Sequence, residues 1–151
     1  ILLQVAILAS FMPMLTGTGG NAGSQSATLV IRALAVKEIT VKDALKVLVK
    51  EFGVAFLMSL VLATIAYLRV MVFYGNTPTL NHVTPQAVGL AVAIALALQV
   101  IVSTLIGALL PLAAVSVKID PAVVASPLLA TMVDIFGLLI YFNVARLILH
   151  L

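Results

Sequence analysis

The sequence predicts an all-α fold, a polytopic bundle of membrane-spanning helices, and three observations lead there. Hydrophobic residues make up 64% of the 151 residues and charged residues only 9%, against about 25% charged in an average soluble domain. The mean hydropathy is +1.30, so there are too few polar side chains to clothe a water-facing surface. The solvent around most of the chain must then be lipid. In lipid every backbone N–H and C=O needs an internal partner, which leaves helices or a closed barrel. Barrel strands alternate apolar and polar residues in short segments, whereas the apolar runs here are continuous and far longer.

The remaining composition narrows the function. With no cysteine, disulfides, thiolate metal sites and cysteine nucleophiles are excluded. The net charge of +3 comes from a few residues between the apolar runs and reads as membrane topology; no nucleic-acid partner is expected. Ile1 opens inside an apolar run with no Met and no basic leader. A fragment lacking its N-terminal part is therefore expected, not a signal peptide.

The first span covers about residues 1–35 and is uncharged as far as Ile31. Its centre, Thr16-Gly17-Thr18-Gly19-Gly20-Asn21-Ala22-Gly23-Ser24-Gln25-Ser26, holds four of the nine glycines. A tightly packed or locally irregular helix is expected there. Residues 36–51 carry Lys37, Lys42, Lys46 and Lys50. Val41, Ala44, Leu45, Leu48 and Phe52 follow helical spacing, so this segment reads as a short amphipathic helix. Thr40 is its expected cap, and Asp43 stands in the first turn. The second span follows at 52–74, with Arg69 able to snorkel outward. A turn-rich loop at 75–85, the third span at 86–117, the link Lys118-Ile119-Asp120-Pro121 and the last span at 121–149 complete the chain. Basic loops stay in the cytoplasm. The 36–51 segment and Lys118 are therefore placed inside and the 75–85 loop outside, in a multi-pass protein of the cell membrane surrounded by lipid.

Asp134 is the only acidic residue deep in a span. A charge there costs about 2.5 kcal/mol or more, and such residues usually face a bundle interior or a water-filled path. Ionised carboxylates suit hard cations, although a protonated Asp bonded to a neighbouring helix is the structural alternative. Val123, Pro127, Ala130, Thr131, Asp134, Gly137 and Tyr141 fall roughly along one helical face. Pro127 has no N–H, so the Val123 carbonyl loses its intrahelical partner. That carbonyl either meets the waters of a hydrated ion or marks a packing kink. Gly19 and Gly23 have the spacing of close helix packing. Packing does not account for Asn21, Ser24, Gln25 and Ser26, which must either bond adjacent helices or line water. The stretch lacks the lysine of a phosphate loop. Asp120-Pro121 reads as a helix start that also places a carboxylate at the cytoplasmic mouth. His82 and His150 have no partner at metal-ligand spacing. No nucleophile–base pair is present, so no enzyme activity is expected.

The run from Gly17 to Thr28 with Arg32-Ala33-Leu34-Ala35, then Asp120-Pro121-Ala122, Ser126-Pro127, Asp134-Ile135-Phe136-Gly137 and Tyr141-Phe142, resembles the signature of the MgtE family over essentially the whole chain. The family commonly has Gly where this chain has Ala33. The resemblance implies a homodimeric Mg²⁺ channel with five spans per subunit, of which the second and fifth line the pore. Those two correspond to the first and last spans here. It also implies cytoplasmic N- and CBS-domain modules of the full-length chain that gate the pore by sensing Mg²⁺; neither they nor the first family span fall within residues 1–151. The family's pore aspartate falls on Asp134, its pore asparagine on Asn21 and its acidic mouth residue on Asp120. Gly20, Gly23, Val123, Ser126, Pro127 and Thr131 are the further expected pore-lining residues.

The expected mechanism keeps the octahedral water shell of Mg²⁺, which the ion gives up reluctantly. Carboxylates and carbonyls would accept hydrogen bonds from that shell. Two Asp134 side chains at a dimer axis repel each other until a divalent ion arrives. The residues do not distinguish Mg²⁺ from Mn²⁺, Co²⁺ or Ca²⁺. Two other readings stay open: a proton-coupled cation transporter with Asp134 as carrier, and a membrane scaffold that transports nothing.

Overall fold

The computed structural model describes residues 2–76 and 83–150, with side chains for all of these except 2–7 and 124–126. His82 and most of the 75–85 loop lie outside the described residues. Four long helices dominate: α1 (Leu2–Ala35), α2 (Ala44–Tyr74), α3 (Pro85–Ser116) and α4 (Pro121–Leu149), with a single 3-10 turn at Val41–Asp43 before α2. Among the described residues three helices are long and apolar enough to cross a membrane, spanning Val41–Tyr74, Pro85–Ser116 and Pro127–Leu149. The chain is a membrane protein of all-α build. α1 is as long as the others, but its apolar sequence is interrupted by the polar and glycine residues at its centre.

One boundary differs from the sequence reading. Residues 36–51 do not form a helix of their own. Residues 36–40 make the turn out of α1, and Ala44–Glu51 are the first turns of a continuous 31-residue α2. At 1.5 Å per residue that helix is about 46 Å long, well beyond a hydrocarbon core of about 30 Å, so its basic first turns extend past the apolar stretch. Thr40 is the N-cap of the turn that leads into α2 and Asp43 stands in its first turn, paired with it in a capping box: Asp43 Oδ2 accepts from the Thr40 backbone N–H at 3.0 Å and from the Thr40 hydroxyl at 2.9 Å. The glycine-rich centre of α1 is regular helix throughout, which settles the choice between tight packing and local irregularity.

α3 is the central element. It packs against α1, α2 and α4, while α1 packs on α4 as well. The apolar stretch of α3 is 56% buried, against 17% in α2, so α2 lies at the periphery with most of its surface open. Small residues allow the helices to close on α3. A Cβ on Gly107 of α3 would fall on the Gly23 carbonyl of α1, and one on Gly23 would lie 2.9 Å from the Ser103 carbonyl oxygen. Apolar side chains close around the contact: Ala27, Leu129 and Val133 form one cluster, and Val30, Ala108 and Leu112 another. Nearer the other end, Phe11, Leu15, Val92, Val100 and Tyr141 form the main core. There the Tyr141 hydroxyl donates to the Leu8 carbonyl at 2.7 Å and ties α4 to α1.

The helix ends obey local chemistry. Thr84 Oγ1 accepts from Ala87 N at 3.2 Å, with Pro85 at the first position of α3. Asp120 Oδ1 accepts from Ala122 N at 2.9 Å, with Pro121 opening α4. α1 and α3 end alike. The N–H groups of Lys37 and Glu38 bond back to Leu34 and Ala33, and those of Lys118 and Ile119 to Val115 and Ala114. This is the closure that normally calls for a glycine in the left-handed region. Lysine occupies it in both places, at φ 60° and 61°. The left-handed conformation costs a residue bearing a Cβ about 1 kcal/mol, and a cation near a helix C-terminus returns part of it. A β-branched residue has no such compensation. Lys118→Val should therefore be about 1 kcal/mol less stable than Lys118→Gly, measured by chemical denaturation in detergent.

Candidate functional site

The packing of α1 and α4 against α3 sorts their residues by face. On α1, Leu15, Gly19, Ala22, Gly23, Ser26 and Ala27 are buried. Pro13, Gly17, Asn21, Ser24 and Thr28 are exposed, with Gly20 half-buried beside them. Steps of three and four residues place that second set on one face. Part of it, with Gln25 and Leu29, forms an open concavity of ≈ 530 Å³. The two roles proposed for the polar residues of this stretch are divided among them. Ser26 bonds an adjacent helix, donating to Glu51 Oε2 at 2.7 Å, while Asn21, Ser24 and Gln25 are open. The two glycines divide likewise. Nothing stands within 4 Å of a Cβ on Gly20, whereas Gly23 is wedged against the Ser103 carbonyl, Leu129 and Val133.

On α4, Val123, Pro127, Ala130, Thr131 and Asp134 are exposed, but Gly137 and Tyr141 are buried. The single face read from the sequence thus splits. Gly137 and Tyr141 continue the inward row of Val133, because Tyr141 reaches the Leu8 carbonyl and Gly137 makes room for Gln99. Thr131 donates to the Pro127 carbonyl at 3.1 Å, which bends its hydroxyl back along its own helix. Ser126 lies in α4, with its side chain outside the described residues.

Asp134 makes no hydrogen bond or ion pair with any described residue. Among the described residues, then, nothing bonds it to a neighbouring helix. Among the described residues no three His, Cys, Asp or Glu side chains gather as a metal cluster. Asp120 is occupied as the cap of α4. It stands fourteen residues before Asp134, about 21 Å along the helix, so the two carboxylates belong to separate places.

Sequence reasoning passed over two polar contacts. One is the bond from Ser26 to Glu51. It spans a crevice of ≈ 630 Å³ between α1 and α2 that Arg32, Lys46 and Lys50 also line. The other is Gln99, 0% exposed at the middle of α3, whose Nε2 donates to the Val133 carbonyl at 3.0 Å. Its signal was available: apart from Gln86 at the helix start, it is the only amide side chain in the uncharged run 86–117.

A family model described as a divalent cation transporter, MgtE, matches residues 12–144. The chain belongs to the MgtE family. It is 43% identical over 151 residues to the magnesium transporter MgtE of Thermus thermophilus, covering 99% of this chain and 31% of that protein. It is 34% identical over 147 residues to the magnesium transporter MgtE of Bacillus subtilis, covering 97% of this chain and 31% of that protein. The chain thus spans about a third of the length of these relatives. Both relatives are named as magnesium transporters.

The two glycines of the α1 signature should respond oppositely to bulk. Gly23→Leu has to displace α3 and α4 and should cost about 3 kcal/mol or more. Gly20→Leu enters open space and should leave the thermal unfolding of the detergent-solubilised protein within about 0.5 kcal/mol of the parent.

Proposed function

We propose that this chain forms the conducting domain of a Mg²⁺ channel of the cell membrane. Two copies pair so that the open faces of α1 and α4 line one pore. The observation that carries this reading is the Asp134 carboxylate, exposed on α4 and without a partner among the described residues. An intramembrane carboxylate is costly unless it faces water, a cation or another polar chain. The polar face of α1, with Asn21, Ser24 and Thr28, has the same requirement. The naming of the relatives as magnesium transporters supports Mg²⁺ as the ion.

In this reading the Asp134 carboxylates from the two copies flank the axis and accept hydrogen bonds from the waters of a hydrated ion. Unit charges 4 Å apart attract by about 4 kcal/mol at an effective dielectric constant of 20. A divalent ion doubles that term for each carboxylate and offsets their mutual repulsion, whereas a monovalent ion leaves a net charge behind. Because the ion keeps its inner waters, its passage needs no slow dehydration. Asn21 and the carbonyl of Val123, freed by Pro127, are further acceptors along the path. Gly20 keeps α1 slim on the open side. Gly23 serves that wall from behind, and Asp120 stands at the cytoplasmic mouth. Gating belongs to cytoplasmic domains of the longer chain.

Asp134→Asn should reduce Mg²⁺ uptake into proteoliposomes at least tenfold while the protein still inserts and pairs. Wild-type uptake would remove Asp134 from the ion path. In a covalently linked dimer, Asp134→Asn in one copy alone should alter flux or selectivity of the whole. A fall to about half with unchanged selectivity would mean two separate paths. Uptake that requires a pH gradient would favour the proton-coupled carrier.

A further inference from the structure

Gln99 sits where three helices meet. Its side chain runs between a glycine of α1 and a glycine of α4. A Cβ on Gly19 would lie 2.9 Å from Gln99 Cγ, and one on Gly137 would lie 2.8 Å from Gln99 Cδ. Either addition would push the amide away from its bond to the Val133 carbonyl. Inside a helix that carbonyl already accepts from the N–H four residues on, which here is Gly137. A carbonyl oxygen has a second lone pair, and the missing side chain at 137 leaves it accessible to Gln99.

The arrangement is not the cheapest way to fill the space. Gln99 Oε1 and Ser103 Oγ, one turn apart on α3, are buried without hydrogen-bond partners. A leucine or methionine of similar size would pack there with no orphaned amide oxygen, so volume alone does not account for the glutamine. What the amide adds is direction. A bond from α3 to one particular carbonyl fixes the height and rotation of α4. Val133 immediately precedes Asp134, and successive residues diverge by about 100° around a helix. The bond therefore holds the inner face of α4 while the carboxylate projects from the open one.

The geometry points to Gln99 as a positioning residue that sets where the Asp134 carboxylate stands, and through it the selectivity of the site among divalent ions. This inference rests on the proposed role of Asp134. In a two-fold site each displacement is repeated by the partner copy, so the gap between carboxylates changes by up to twice the shift. Mg²⁺ and Ca²⁺ differ in their oxygen distances by only about 0.3–0.5 Å. Discrimination by spacing demands a carboxylate held to that tolerance.

The test replaces Gln99 by leucine, which keeps the volume and removes the bond. Gln99→Leu should pair normally and unfold no earlier than the parent, since no amide oxygen is left unpaired. Two readouts should change. Spin labels at Ser24→Cys and Ala130→Cys, in labelled chains diluted with unlabelled ones, should give a broader distance distribution between α1 and α4. The preference for Mg²⁺ over Ca²⁺ in proteoliposome uptake should fall at least threefold. Gly137→Ala displaces the same amide from the other side and should shift selectivity in the same direction, which keeps the test decisive should the leucine variant misfold. Unchanged selectivity in folded variants overturns the inference, whether or not the distance distribution broadens. Asp134→Asn run in parallel separates the two claims. If it conducts and selects as the parent does, the ion-site reading fails. If it loses flux while Gln99→Leu selects normally, only the positioning role is lost.

Discussion

The backbone contact between α1 and α3 governs the arrangement of everything else. Lipid tails are as apolar as leucine, so these helices gain little from hydrophobic burial when they associate. Association depends on van der Waals fit and on the few polar bonds between them. Fit of that kind needs closeness. Gly23 and Gly107 supply it, because a Cβ on Gly107 would land on the backbone of Gly23. Once α1 is seated there, Ala27, Leu129 and Val133 close around the contact and α4 is drawn onto the same side of α3. The bond from Tyr141 to the Leu8 carbonyl then holds the opposite ends of α1 and α4 together.

That contact also decides which residues stay outside. A helix whose glycine face turns inward must turn the residues between those glycines outward. In α1 that open side carries Asn21, Ser24 and Thr28, with Leu29 beside them. α2, which packs on α3 away from this region, shows the ordinary alternative: its open face is Leu57, Leu60, Val61, Ile65 and Leu68, suited to acyl chains. The contrast between the two open faces on one small protein separates a surface made for lipid from one that is not.

Much of this could be read from the residues in order. The helices, the capped start at Asp120, the close packing at Gly19 and Gly23 and the singular position of Asp134 all follow from local chemistry that one sequence carries. Three features did not follow. α2 runs unbroken from Ala44 because helical spacing continues across residues 44–52 with no breaker, and a change from basic to apolar composition does not end a helix. Gly137 and Tyr141 lie within about 60° of Asp134 around an ideal helix, yet both are buried and Asp134 is exposed. Only tertiary contact, here with Gln99 and Leu8, chooses the side. Gln99 itself was overlooked because a lone amide in an apolar run has no motif. Its meaning comes from what two glycines on other helices leave room for.

The open face of α1 and the carboxylate of α4 pose one physical problem. An Asp at mid-membrane depth costs about 2.5–3.5 kcal/mol on insertion scales, and each unpaired amide or hydroxyl facing hydrocarbon adds to it. A single chain does not resolve this internally: Asp134 has no partner among its described residues, and no cluster of acidic or histidine side chains forms near it. Protonation would lower the cost at Asp134 but would leave Asn21, Ser24 and Gln25 facing lipid. A second copy related by a two-fold axis, as proposed, would present the same polar face and the same carboxylate in return, and closed two-fold pairing is the commonest way a chain covers a self-complementary surface. Such a pair enclosing water meets all of these demands at once. In the proposed pair the carboxylates would need a counter-charge on the axis, and one hydrated divalent cation would supply both positive charges there.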